Sequence, residues 1–181
     1  MRYPVLKPDE MTSRQREVAE AIGQRRAGGL AGPYVPLIYS PEVADRMQQL
    51  SEYLRFSLRV PERLRLMAIL ITVRHKNADY PFHIHTDSAR EAGLSETMIA
   101  ALSEASRPAD MSADEAMIYD YCTELTRTGG VKDATFGPVA ERFGREICLE
   151  LVALCGYYAL LAMVANVVET KLPESVVTAS A

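Results

Sequence analysis

All three histidines of this 181-residue chain, His75, His83 and His85, fall between positions 75 and 85. The last two lie in the run Tyr80-Pro-Phe-His-Ile-His-Thr-Asp-Ser-Ala-Arg-Glu-Ala-Gly-Leu-Ser95. At about 100° per residue, Phe82, His85, Ala89 and Ala92 form one apolar helical stripe, while His83, Asp87 and Arg90 form a polar one. An imidazole on the apolar side is a candidate proton carrier, because its ordinary pKa of about 6.5 lies near neutrality. The competing reading is a core histidine with a satisfied hydrogen bond. His83 with Asp87 one turn later reads as a surface pair.

Metal chemistry fits this spacing poorly. On a helix the two side chains of a His-x-His pair point about 200° apart, and His75 is not one or two turns from either. No metal site is expected. Phenols are plentiful: Tyr39, Tyr53, Tyr80, Tyr157 and Tyr158 offer donors beside apolar sequence. Arg46, Arg55 and Arg74 can supply a cation to an anionic or carbonyl-bearing molecule, although each also suits a surface role.

The elements that must position these groups are helices. Thr12 or Ser13 can cap a first helix to about Arg26, ended by Gly28-Gly29. Ala31–Ile38, with Gly32-Pro33 and Pro36, reads as an extended connector. Ser40-Pro41 opens a helix to about Ser57, and Pro61 another to about Lys76. Asp79 or Tyr80 opens the histidine helix, which Gly93 ends, and Ser95 caps a short one to about Ala105. Ser112-Ala-Asp-Glu115 is a capping box for a helix that Gly129-Gly130 stops. Asp133 caps the next, and Arg145–Lys171 is a long apolar helix. No strand alternation or internal repeat appears, so the fold class is all-α.

Size and composition set further bounds. One domain spanning 1–181, with its core at about 10–170, is long enough to bury a substantial interior. A net charge of −4 argues against a nucleic-acid or anionic-membrane partner. Cys122, Cys148 and Cys155 lack a CxxC spacing and sit in apolar stretches, which reads as reduced thiols of a cytoplasmic protein. The N-terminus lacks an apolar signal core. Ile147–Val168 is long enough to span a bilayer, but Glu150 and Asn166 within it favour a buried or subunit-interface helix. Its apolar surface predicts a homo-oligomer.

The order of Gly32-Pro33, Tyr39-Ser40-Pro41-Glu42-Val43-Ala44, Tyr53-Leu54-Arg55-Phe56, the Phe82–Ser95 run and Gly156-Tyr157-Tyr158 resembles the carboxymuconolactone decarboxylase family. That family also holds proteins of the alkyl hydroperoxidase D type. The likeness is to the long decarboxylase-like subgroup and covers roughly residues 10–170. It implies an alkyl hydroperoxidase D-like helical domain that assembles as dimers, trimers or hexamers. With the family histidine laid on His85, the two cysteines of the peroxidase branch fall on Ala78 and Pro81, and its glutamate on Leu66. Neither Ala78 nor Pro81 can form a thiolate, so thiol-dependent peroxide reduction at that site is excluded. The acidic residue of decarboxylase-like relatives is also missing at Pro81.

The resulting expectation is a cofactor-independent, lyase-like enzyme in which His85 is the general acid/base on a small carboxylated or lactone-type substrate. No cofactor is needed when electrons released with CO₂ delocalise into a lactone carbonyl. Leu66, Tyr80, Phe82, Tyr39 and Tyr53 are the candidate substrate-binding residues. The alternative is a non-catalytic helical oligomer or small-molecule binder that kept the fold and lost its carboxylates and cysteines. A redox role for the three cysteines and a metal site at the histidines stay open as minor readings.

Overall fold

The computed structural model describes residues 2–25 and 29–170, and the expected boundary residues Arg26, Gly28 and Lys171 lie outside these. In chain order the helices are α1 (Ser13–Arg25), α2 (Tyr34–Leu37), α3 (Pro41–Phe56), α4 (Glu62–His75), α5 (Asp79–Glu91), α6 (Glu96–Ser103), α7 (Ala113–Thr128), α8 (Asp133–Phe143) and α9 (Arg145–Val168). No strand occurs among the described residues.

α4 forms the centre. Leu64 and every residue from Leu66 to Val73 are buried, so this helix is apolar on all sides and packs against α5, α7 and α9 together. α9 has the composition of a membrane span, yet 12 of its 24 residues are buried within the fold. It runs parallel to α4. The Glu150 carboxylate accepts from the Arg59 backbone N–H at 3.1 Å near one end, and Asn166 donates to the Lys76 carbonyl at 2.7 Å near the other. Glu150 also accepts from the Tyr53 hydroxyl at 3.1 Å, so this buried carboxylate ties α3 and the loop before α4 to α9. It is satisfied rather than a membrane-facing charge.

α5 runs antiparallel to α4. Arg74 pairs with Asp79 at 2.9 Å at the hairpin, and Arg63 donates to the Gly93 carbonyl at the far end. Local signals explain most boundaries. Ser95 Oγ accepts from Met98 N–H at 3.2 Å, and Ser112 with Glu115 forms a reciprocal capping box. Gly129 closes α7 at φ +81°, a left-handed conformation that glycine adopts without side-chain strain.

Two local expectations need correction. Ala31–Ile38 is not wholly extended, because Pro33 (φ −66°) starts the single turn α2, whose Tyr34 is fully buried. Asp133 is the first helical residue, preceded by Lys132, and makes no side-chain cap bond. The expected start of α3 holds: Ser40 is the N-cap and Pro41 the first helical residue, although the Ser40 side chain makes no cap bond.

Candidate functional site

The apolar stripe of α5 packs inward: Phe82 and Ala89 are buried, while His85 and Ala92 are half-buried. His85 opens onto a cavity of about 480 Å³ walled by α3, α4, α5, α9 and the loop before α2. α4 supplies Glu62, Arg65, Leu66 and Ile69, and α9 supplies Tyr157, Tyr158, Leu161 and Ala165. Both sets recur at helical three- and four-residue spacing, so each is a single face. Ser51 and Arg55 come from α3, one turn apart.

The imidazole is oriented by aromatic packing. Its ring lies edge-to-face with Tyr158, centroids 5.1 Å apart at 81°, and Tyr158 packs the same way on Tyr157 at 5.3 Å. Below them the hydroxyls of Tyr157 and Tyr34 share a buried 2.7 Å hydrogen bond. Burial, and then the nearby Tyr34, push the Tyr157 phenol far above its ordinary pKa, so it stays protonated. At the loop, Gly32 (φ +60°) lies against Tyr80, and a Cβ added there would come 3.3 Å from the Tyr80 hydroxyl.

Of the residues singled out from the sequence, His85, Leu66 and Tyr80 line this one cavity. Phe82 does not. Its ring is buried beneath the Arg74 guanidinium at 4.7 Å, because its position on α5 turns it toward the α4–α5 hairpin. Tyr39 is 40% exposed, donates to the Pro4 carbonyl at 3.0 Å, and borders a separate surface groove. Tyr53 is occupied by Glu150, whose hydrogen bond and charge raise the phenol pKa. Asp87 pairs with Arg90 rather than with His83, which is half-buried.

Sequence reasoning passed over Glu62 and Arg65. The Arg63–Arg65 run reads as a solvated edge, yet the Arg65 side chain is only 14% exposed and borders the cavity. Its Nη2 donates to Glu62 Oε1 at 3.1 Å. The usable signal was spacing, because Glu62, Arg65, Leu66 and Ile69 share one face of α4. A carboxylate is therefore present one turn before Leu66. Of the three arginines considered as cations, Arg55 borders the cavity, Arg46 pairs with Glu42, and Arg74 pairs with Asp79.

None of the three cysteines lines the cavity, and all are buried. Cys122 is pushed well above the ordinary thiol pKa, first by its hydrogen bond with Cys155 and then by burial. Burial likewise raises Cys148. Among the described residues no cluster of three His, Cys, Asp or Glu side chains could hold a metal ion.

The class these observations define is a helical protein with the alkylhydroperoxidase AhpD fold, carrying a histidine and two arginines around one cavity. Among solved structures, this chain is similar to an uncharacterized peroxidase-related protein from Ralstonia eutropha JMP134 with an alkylhydroperoxidase AhpD core. The two superpose with a TM-score of 0.79 over 96% of this chain and 93% of that one, at 16% sequence identity. At that identity the likeness is one of fold. No family model matches the sequence, and no curated protein does.

Proposed function

We propose that this protein is a carboxymuconolactone decarboxylase-like enzyme of the cytoplasm, acting without a cofactor on a small carboxylated or lactone-type molecule. The observation that carries this reading is the meeting of His85 with Arg55, Arg65 and Tyr158 in one cavity whose wall is Leu66, Ile69 and Leu161. Apolar walls strip water from a carboxylate, and phenolic donors beside the imidazole stabilise a developing oxyanion. When CO₂ leaves, the electron pair of the broken C–C bond passes into the conjugated carbonyl. His85 as imidazolium then delivers its proton to carbon and is left neutral. The peroxidase-related neighbour does not transfer its label here, because Ala78 and Pro81 carry no thiol.

We further propose that a second copy of the chain covers the outer face of α9 and the end of α3. Leu149 is 72% and Phe56 71% exposed, and Met163 and Val167 are also open to solvent.

The test is a thermal-shift screen with lactones, keto acids and muconates, followed by assay of each stabilising compound for CO₂ release. Stabilisation with His85-dependent turnover supports the enzyme reading. Stabilisation without turnover by any hit favours a binding protein, the reading that Leu66 and Pro81 in the cavity wall support. No stabilisation by any of them removes the reading.

A further inference from the structure

The charges bordering the cavity are unevenly placed. Arg55, Arg65 and Glu62 sum to one positive charge in a chain whose net charge is −4. Most arginines of this protein are spent on ion pairs, but Arg55 has no acidic partner among the described residues and lies 5.0 Å from the Phe56 ring. Arg65 meets only Glu62 among them, through one nitrogen. A guanidinium has five N–H donors, of which Glu62 takes one, and the Arg65 side chain keeps 14% exposure. Two half-used guanidinium groups beside apolar walls make a seat for an anion.

These charges lie at one end of the cavity. Arg65 is in the first turn of α4, and Arg55 is in the last turn of α3, where neighbouring Tyr53 meets Glu150 beside Arg59. His85 lies deeper. Interpolating between the Arg74–Asp79 and Arg63–Gly93 contacts sets His85 level with Ile69 and Leu70. That is about 7 Å along α4 from Arg65, at 1.5 Å per residue. An anion seated on the arginines is therefore offset along the cavity from the imidazole. Ion pairing also stabilises a carboxylate in its ground state, which opposes losing it as CO₂.

Resting on the assignment of this cavity as the substrate site, we infer that Arg55 and Arg65 anchor a carboxylate that the ligand keeps throughout the reaction. The ligand is then a small organic acid with an apolar body along Leu66, Ile69 and Leu161. Its reacting carbon lies roughly five bonds from the anchored carboxylate, the length that spans the offset to His85. Glu62 holds one edge of Arg65 and keeps the fork in place.

The probes are 5-phenylpentanoate and its neutral twin 5-phenylpentanamide, titrated calorimetrically into the full chain. The acid is expected to bind saturably and the amide roughly tenfold or more weakly. Arg55→Gln, at an exposed position, and Arg65→Lys are each expected to weaken the acid roughly tenfold and leave the amide unchanged. His85→Ala is expected to leave the acid's affinity nearly intact. Equal binding of the two probes, no effect of Arg55→Gln, or no saturable binding of the acid overturns the anchor. Anchoring with no His85-dependent turnover of any compound removes the acid/base reading alone. His85-dependent turnover that is indifferent to both arginines removes the anchor alone.

Discussion

His85 and Tyr158 meet edge-to-face, ring centroids 5.1 Å apart at 81°, across the gap between α5 and α9. This contact joins the one histidine of the cavity to the helix that carries two of its three phenols. Tyr158 is 3% exposed, so it braces the imidazole from inside the core rather than from a mobile rim. Truncation at Tyr158 should leave a void among packed groups. Tyr158→Ala is expected to cost about 3–5 kcal/mol of stability, measured by chemical denaturation. A cost below about 1 kcal/mol would mean that the ring is not packed as described.

His85 itself is half-buried at a cavity wall, so its loss should cost little packing. If the imidazole carries the proton, His85→Ala should lower turnover of the true substrate by roughly 10²–10⁴-fold while the melting temperature moves by a few degrees at most. His83→Ala should change the rate only slightly. A large loss of stability in His85→Ala with unchanged turnover would identify His85 as a structural histidine.

Thiol-peroxidase activity is expected to be absent. The three buried cysteines lie outside the cavity, and burial and neighbours keep Cys122 and Cys148 protonated. Consumption of an alkyl hydroperoxide with a dithiol reductant, lost on replacing Cys122, Cys148 or Cys155, would contradict this.

Acid should weaken the fold through Glu115. Burial raises its carboxyl pKa, but hydrogen bonds from Ser112 and then Arg63 (Nε at 2.6 Å) outweigh that and hold it below the ordinary 4.5. A depressed folded-state pKa adds stability that is complete above the unfolded value and is lost as pH falls through the folded one. Denaturation midpoints should therefore drop below about pH 4.5. Glu115→Gln should be less stable at pH 7 and show a shallower decline with acid. Parallel acid limbs for the two proteins would assign the loss to other carboxylates.

Sedimentation at micromolar concentration should report an oligomer. The exposed row Leu149, Val152, Met163 and Val167 on α9 is the reason, since apolar surface of that extent favours burial. Leu149→Glu with Met163→Glu should shift the mass toward monomer with the helical signal kept. A monomeric mass for the unaltered chain would remove the proposal.

The helices themselves were legible in the sequence because their causes are local. Pro41 at a first helical position, the Ser112–Glu115 box and Gly129 at a left-handed C-cap each act within one turn, and each ends or begins a helix where the residues say. The stripe Phe82, His85, Ala89 and Ala92 also told which face of α5 turns inward. Periodicity names an inward face without naming the neighbour across it. Phe82 and His85 share that stripe, yet one lies under Arg74 and the other opens on the cavity. Tyr39 and Tyr53 looked equivalent to Tyr80 as phenols beside apolar sequence, but Pro4 and Glu150, each more than 30 positions away, occupy their hydroxyls. Arg65 lost its solvated appearance only when α3, α5 and α9 closed around the first turn of α4. A side chain's chemistry depends on its type and local turn, whereas its partners, burial and charge balance depend on contacts distant in sequence, which tertiary packing alone creates.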